Sequence, residues 1–163
     1  MKRSNTYRQT GFTMIEMMIM IVLIGILASL TAPSFFNMMP RLKLKSEART
    51  NLNYLRLARS KAISDNSQYG IYFDVNNGNL VYFKDTHDLQ FAYYLAGQDS
   101  LIEGPISMAS NVSYSNCTFM SNCVIFYSNG SASTSGSIDV VDSESGNSYT
   151  ISVLASTGRV RLQ

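Results

Sequence analysis

The pattern of apolar and polar residues predicts a long N-terminal helix. An apolar run begins at Phe12 and continues to Leu30, with Glu16 as its only charged residue. At about 1.5 Å per helical residue, the stretch from Phe12 to Pro33 is about as long as the ~30 Å hydrocarbon core of a membrane is thick. We therefore predict that the first half of the helix spans a membrane, with the basic residues before it in the cytoplasm.

Beyond Pro40 the pattern becomes amphipathic. Apolar residues recur every three or four positions, which is the period of one helix face. This stripe predicts a helix that continues to about Asp65 and packs on its own domain; its members are Leu44, Ala48, Leu52, Leu55, Ala58 and Ala62. Pro33 and Pro40 each remove a helix hydrogen bond, so we predict that they bend the helix.

From Gly70 onward the period falls to two, which is typical of β-strands. Asn76-Asn77-Gly78 between two such runs predicts a hairpin. The predicted strands cover residues 70–75, 79–85, 89–95, 107–114, 124–128, 137–141, 148–154 and 159–162. The predicted fold class is therefore α+β, with a long N-terminal helix packed on C-terminal antiparallel sheets.

Charge is distributed unevenly along the chain, which the formal net charge of +2 conceals. Of the thirteen basic residues, three precede Gly11 and seven lie in residues 41–61. From residue 62 onward, three basic residues face nine acidic ones. The basic stem and the acidic head are therefore different surfaces, and the head opposes long-range attraction of nucleic acid.

The two cysteines, Cys117 and Cys123, enclose five residues. Because the C-terminal bulk is predicted outside the cytoplasm, we predict a disulfide between them, with free thiols as the alternative. The single histidine, His87, is far away in sequence and is expected in an exposed loop, which disfavours a metal site. The sequence shows no nucleophile motif, phosphate-binding loop or ligand cluster. We therefore predict no enzyme activity, metal, cofactor or small-molecule substrate.

The segment that joins the basic leader to the apolar helix resembles a known motif. Residues 11–16 read GFTMIE and look like the processing site of type IV prepilins. The resemblance implies that a prepilin peptidase cuts after Gly11 and that Phe12 becomes the N-methylated first residue. Pro33 falls where the helix of that superfamily usually carries a kink-forming proline.

The same resemblance implies a division of the chain into three regions. Residues 1–11 are the leader peptide, and residues 12–40 are the transmembrane and assembly half of the helix. Residues 41–163 are an extracytoplasmic, pilin-like globular domain. The implied localisation is the inner membrane for the precursor, with a cytoplasmic N-terminus, and a periplasmic or cell-surface filament afterwards.

Glu16 is an ionisable group near the start of the apolar helix, where a charge is costly. After cleavage, the new amine of Phe12 lies about one helical turn away. By the family resemblance, Glu16 of an incoming subunit neutralises the amine of the subunit before it. The alternative is an interfacial acid that extends to the lipid head groups.

Two further stretches resemble the GspH/FimT group of minor pilins and pseudopilins. Residues 58–63, ARSKAI, are similar to its ARSEAI segment, and residues 158–161, GRVR, to its C-terminal Gly-Arg-x-Arg element. In FimT-like members this element is associated with DNA capture, which makes Gly158, Arg159 and Arg161 candidates for DNA binding. Alternate strand residues share a face, so the arginines would form a cationic patch. Charge that protects an edge strand is the alternative.

We therefore predict a minor pilin or pseudopilin with a structural or priming role in a type IV pilus or a type II secretion pseudopilus. Its predicted partners are other pilins, the prepilin peptidase and the inner membrane. One alternative is a pilus-displayed DNA receptor, which adds DNA as a partner. A major pilin is the other; the tight cysteine spacing, with forty residues after Cys123, disfavours it.

Overall fold

The computed structural model describes residues 11–87 and 93–163 of the chain. Within them lie helix α1 (Met14–Ser64), a short 3-10 turn (Met120–Asn122) and eight strands. The strands are β1 (Tyr69–Asp74), β2 (Asn79–Lys84), β3 (Ser100–Ser107), β4 (Val112–Ser115), β5 (Cys123–Phe126), β6 (Gly136–Asp142), β7 (Ser148–Leu154) and β8 (Arg159–Leu162). The chain forms two compact units, Met1–Met39 and Pro40–Gln163.

Helix α1 has a side-chain cap at its first turn. The hydroxyl oxygen of Thr13 accepts a hydrogen bond from the backbone N–H of Glu16 at 3.3 Å. Threonine followed three residues later by glutamate is a pattern that favours helix starts. The helix continues through Pro33 and Pro40. The side chain of Pro33 lies outside the described residues, so the kink there stays a prediction.

The first unit carries apolar side chains that are exposed on every side of α1. They are Met14, Ile15, Met17, Met18, Ile19, Met20, Ile21, Val22, Leu23, Ile24, Ile26, Leu27 and Leu30. Every side chain of this unit whose burial the structure describes is exposed, so none of these forms a folded core. Among the residues that the structure describes, no helix combines the length and the apolar character needed to cross a membrane. The membrane span over residues 12–40 stays a prediction.

In the second unit, α1 packs against two antiparallel sheets. Their strand orders are β3-β2-β1-β5 and β4-β6-β7-β8. The predicted stripe is buried as expected: Leu44, Ala48, Leu52, Leu55, Ala58 and Ala62 all lie in the main core. In the same core, the ring of Phe73 stacks on Phe119 at 5.8 Å and meets Tyr114 edge-on at 5.4 Å. The α+β architecture predicted from the sequence is thus confirmed.

The predicted β1–β2 hairpin is present, and a polar contact closes its turn. The side-chain amide of Asn77 donates to Asp74 at 2.7 Å, and Gly78 adopts a positive φ of 65°. Seven of the eight strands coincide with a predicted one over most of their length, whereas β3 shares only Ser107 with a predicted strand. The strand predicted over residues 107–114 begins too early, because β4 starts only at Val112. Of the strand predicted over residues 89–95, residues 89–92 lie outside the described part and residues 93–95 form no strand.

Candidate functional site

The predicted processing site lies in exposed, open backbone just before α1. A Cβ atom built on Gly11 would meet nothing within 4 Å. Contacts within the described chain therefore do not require a glycine at this position. Phe12 is 70% exposed, and Thr13 after it is exposed as well. The backbone around the Gly11–Phe12 bond is therefore open and exposed.

Glu16 lies in the first turn of α1, and its side chain is exposed. The unpaired N–H groups of a helix start favour a nearby negative charge. The hydrogen bond from the backbone N–H of Glu16 to the Thr13 hydroxyl oxygen holds the backbone of this turn. It therefore fixes the point from which the Glu16 side chain extends. The structure therefore brings Gly11, Phe12 and Glu16 into one short exposed segment, as the sequence predicts.

Arg159 and Arg161 lie on one face of edge strand β8. Both are exposed, whereas Val160 between them is buried, as strand alternation requires. They line a cleft of about 580 Å³. Its other lining residues are Arg59, Ser152, Val153, Leu154, Thr157 and Gln163. The cationic patch predicted from the GRVR sequence therefore has a concave surface with hydroxyl and amide groups beside the arginines.

Gly158 fixes the turn before β8 against two other parts of the domain. Its φ is +58°, and a Cβ atom there would lie 2.2 Å from the carbonyl oxygen of Gly130. The same carbonyl oxygen accepts a hydrogen bond from Nε of Arg59 at 3.0 Å. A helix, the loop before β6 and the β7–β8 turn thus meet at one carbonyl group, with no room for a side chain on residue 158.

A second cleft, of about 340 Å³, continues from the first along the helix. Its lining includes Arg56, Arg59, Ile63, Gly158 and Arg159. Among the described residues that line these two clefts, none is acidic. The structure therefore places four arginines, two from α1 and two from β8, around one surface.

Comparison with known proteins assigns the chain to a family. Residues 47–157 match the family described as "Type II transport protein GspH". The chain belongs to the GspH family. Residues 6–32 of this GspH-family chain also match the "Prokaryotic N-terminal methylation motif". That second match contains the Gly11–Phe12 bond, in agreement with the prepilin resemblance. The type IV pilin superfamily recognised from the sequence is thereby confirmed.

Solved structures of related filament proteins share the fold. The minor pseudopilin EpsH from the type 2 secretion system of Vibrio cholerae superposes with a TM-score of 0.57 at 15% identity, over 74% of this chain and 96% of that one. The type IV minor pilin FimU of Pseudomonas aeruginosa gives a TM-score of 0.56 at 18% identity, over 76% and 90% of the two chains. At these identities the likeness establishes the fold.

A curated relative matches over a shorter stretch. The type IV major pilin protein PilA of Myxococcus xanthus (strain DK1622) is 44% identical over 62 residues, or 38% of this GspH-family chain. The chain spans 28% of the length of that relative. Together with the family match, this places the chain among pilin-like and pseudopilin-like proteins.

The disulfide predicted for this GspH-family chain is not formed in the structure: Cys117 and Cys123 are both free thiols. Cys117 packs against the main core, whereas Cys123 lies in a separate cluster with Phe83 and Ile125. The two thiols thus belong to different packing environments despite their short separation in sequence. Burial raises the pKa of the Cys117 thiol. Burial is also the main cause that raises the pKa of the Cys123 thiol, and the negative charges of Asp85 and Asp99 raise it further.

We expect the two thiols to differ sharply in alkylation. The thiolate is the reactive form, so a raised pKa leaves less of it at pH 8 and slows both residues. Half-buried Cys117 should react slowly with iodoacetamide, and faster as the pH rises toward its pKa. Fully buried Cys123 should react only after unfolding in guanidinium. Peptide mass spectrometry without a reductant measures both rates. A disulfide-linked peptide, or faster labelling of Cys123, would contradict the structure.

Sequence reasoning missed Arg56 and Arg59 as members of the cationic surface. Their signal was present, because residues three apart on a helix share a face. Their proximity to β8 could not be predicted from the sequence, because it depends on long-range packing. The hydrogen-bond partner of Arg59, Gly130, lies 71 residues away along the chain. His87 is exposed, as expected.

Proposed function

We propose that this chain is a minor pilin or pseudopilin that enters a type IV pilus or a type II secretion pseudopilus through its N-terminal helix. The observation that carries the proposal is the set of exposed apolar side chains around α1 in the first unit. A helix that is apolar on all sides needs an apolar environment. The N-terminal helices of neighbouring subunits would provide one. The role is structural or priming rather than enzymatic.

Before assembly, the precursor is anchored in the inner membrane through this same segment, with its N-terminus cytoplasmic. The methylation-motif match and the pilin relatives support a membrane-anchored precursor. Release into the filament then transfers the apolar side chains from lipid to neighbouring helices, so little apolar surface meets water during assembly. The mature subunit lies in the periplasm or at the cell surface.

Glu16 selects the register in which the subunit is added. In an apolar environment, the amine of a processed Phe12 needs a counter-charge. Glu16 of the incoming subunit supplies it, and the exposed side chain at the first turn of α1 is free to extend toward a neighbour. Pairing of opposite charges then favours one axial position over others, because a shift along the helix leaves both charges unpaired.

We expect the precursor to be cut between Gly11 and Phe12, leaving N-methyl-phenylalanine as the first residue. The exposed, open backbone at this bond is accessible to a prepilin peptidase. Intact-mass and N-terminal peptide mass spectrometry of protein from the envelope measures both changes. A Gly11→Leu variant in the same cells is the control, and it should keep its leader. An intact leader on the wild-type chain beside an active peptidase would rule out this processing.

A second candidate function is DNA capture by a pilus-displayed subunit. The observation that favours it is the exposure of Arg159 and Arg161 on one face of β8, at the edge of a cleft without acidic lining. Arginine binds phosphate bidentately, and such contacts need no base recognition. The FimT resemblance points to the same residues. Acidic groups elsewhere on the head weaken long-range attraction, so this binding acts at short range.

The test of this second candidate uses the full chain in detergent with duplex DNA at low salt. We expect weak binding without sequence preference that falls steeply as salt rises. An Arg159→Ala/Arg161→Ala variant should lose most of it. The matched control is an Arg41→Ala/Arg49→Ala variant, which removes two exposed helix charges that line neither cleft. If the Arg159→Ala/Arg161→Ala variant binds DNA as well as the wild type, the two arginines do not bind DNA. Their role is then to protect the exposed edge of β8 against pairing with another strand.

A major pilin is the remaining candidate, supported by the 62-residue match to PilA. The two filament roles differ in amount, because a major pilin forms most of the filament mass. Quantitative mass spectrometry of sheared filaments separates them. A chain that makes up most of the filament protein would overturn the minor-pilin proposal.

A further inference from the structure

The cationic surface extends beyond the GRVR segment onto the helix. Arg59 and Arg159 each line both clefts, so the two clefts form one continuous surface. Arg56 adds a third charge from the helix, and Arg161 a fourth from the strand. We propose that these four arginines form a single site for the phosphate backbone of duplex DNA, in which α1 supplies half of the charge. The inference rests on the second candidate function and assigns new residues to its site.

Within the four-arginine site, the side chain of Arg59 is held in one orientation by a hydrogen bond. Its Nε donates to the Gly130 carbonyl oxygen, which is 3.0 Å away, and its side chain is half-buried. Arginine has five N–H donors, so the terminal amino groups keep donors for a ligand. A side chain already held in place loses less entropy on binding than a free one. Arg59 therefore defines a fixed point of the site, whereas Arg56, Arg159 and Arg161 are exposed.

The spacing and composition of the site fit a phosphate backbone. Arg159 and Arg161 are two strand residues apart, or about 6.6 Å along β8. That separation is close to the distance between successive phosphates on one strand. Ser152, Thr157 and Gln163 line the same cleft, and side chains of these types commonly contact phosphate and sugar. The surface thus offers both charge and neutral donors along an extended path.

The absence of aromatic rings from the site favours duplex over single-stranded DNA. Proteins that hold single strands stack the bases on aromatic side chains. No aromatic residue is among those that line the two clefts in the described part of the chain. Contacts to phosphate alone also carry no sequence information. The site is therefore expected to bind any duplex sequence and to gain little from exposed bases.

The acidic residues of the head do not cancel the four-arginine site at short range. The Debye length is about 8 Å at physiological ionic strength, so more distant exposed charges are largely screened. Because the lining of the two clefts contains no acid, a phosphate inside them meets arginines first. The net charge of the head then affects the encounter rate more than the bound complex.

The experiment measures how binding depends on salt, because the slope counts the phosphates neutralised. The full chain in detergent is titrated onto a labelled 20-base-pair duplex between 50 and 200 mM salt. Four arginines predict a log–log slope of about −3.6, or a loss of about 150-fold over this range. Both Arg56→Ala/Arg59→Ala and Arg159→Ala/Arg161→Ala should reduce the slope to about −1.8, a loss of about 12-fold. The Arg41→Ala/Arg49→Ala control should keep the wild-type slope.

Two single variants separate charge from orientation. Arg56→Ala removes an exposed side chain and should lower the slope by about one quarter. Arg59→Lys keeps the charge but lacks the guanidinium Nε–H that bonds Gly130. It should keep the slope and bind more weakly than the wild type. Thermal unfolding by circular dichroism identifies any variant that is not folded, and the Arg56 variant then decides the question.

The outcomes distinguish this inference from the function on which it rests. If Arg159→Ala/Arg161→Ala loses binding while the two helix variants match the wild type, α1 is not part of the site but the DNA-capture candidate stands. If the wild type does not bind duplex at 50 mM salt, both are wrong. Equal loss in the Arg41/Arg49 control would mean a diffuse charge effect and overturns the four-arginine site. Equal binding of single-stranded DNA overturns the preference for duplex.

Discussion

Replacing Glu16 with alanine is expected to leave the chain in the membrane fraction and to lower its amount in filaments by tenfold or more. The substitution removes a charge from an apolar segment, so anchoring becomes easier. The amine of the neighbouring processed subunit loses its counter-charge at the same time. An unpaired charge in apolar surroundings costs several kcal/mol, and about 1.4 kcal/mol corresponds to a tenfold change in an equilibrium. The effect on assembly should therefore be large and specific.

Two variants control this experiment. Glu144→Ala removes an exposed acid from the β6–β7 turn and should assemble normally. Glu16→Gln keeps the size and the hydrogen-bonding groups of the side chain but not its charge, so it should fail like Glu16→Ala. Cell fractionation and co-purification with other pilins measure anchoring and incorporation separately. Normal incorporation of the glutamine variant would mean that charge neutralisation is not the role of Glu16.

Helical periodicity was the most reliable guide to the fold. The stripe from Leu44 to Ala62 is buried along its whole length, because a helix face is fixed by local geometry alone. The Asn77-Gly78 turn was predicted for a similar reason, since its backbone conformation depends on nearby residues. Strand β3 has mostly exposed residues and contains Gly104 and Pro105, so no apolar alternation marks it. Pairing with β2 makes it a strand, and that contact is not local.

The candidate sites also differ in whether local sequence or long-range packing brings their residues together. Gly11, Phe12 and Glu16 form a contiguous motif, so their proximity follows from the sequence. The two cysteines are free thiols that pack in different clusters of the structure, and a spacing of five intervening residues does not determine which cluster each side chain joins. Arg59 was missed because its place beside β8 depends on the packing of α1 on the sheets. Sequence order carries local information, whereas a surface built from a helix and a distant strand requires the fold.

Replacing Gly158 with alanine is expected to destabilise the domain by about 2–5 kcal/mol, from two effects that add. The left-handed conformation at φ +58° costs an L-residue about 1–2 kcal/mol. The new Cβ would also lie 2.2 Å from the Gly130 carbonyl oxygen, a backbone atom that cannot move aside as a flexible side chain can. Overpacking of this kind typically costs about 1–3 kcal/mol. Urea unfolding followed by circular dichroism measures the loss.

Gly146→Ala is the matched control, because it isolates the conformational part. Gly146 has a similar φ of +67°, but a Cβ there would meet nothing within 4 Å. Its loss should be about 1–2 kcal/mol, so the difference between the variants reports the contact at Gly130. Displacing that carbonyl group also disturbs the acceptor of the Arg59 hydrogen bond, so only Gly158→Ala should weaken DNA binding, and the salt slope should stay unchanged because no charge is removed. Equal losses of stability in the two variants would show that the β7–β8 turn is not held against Gly130.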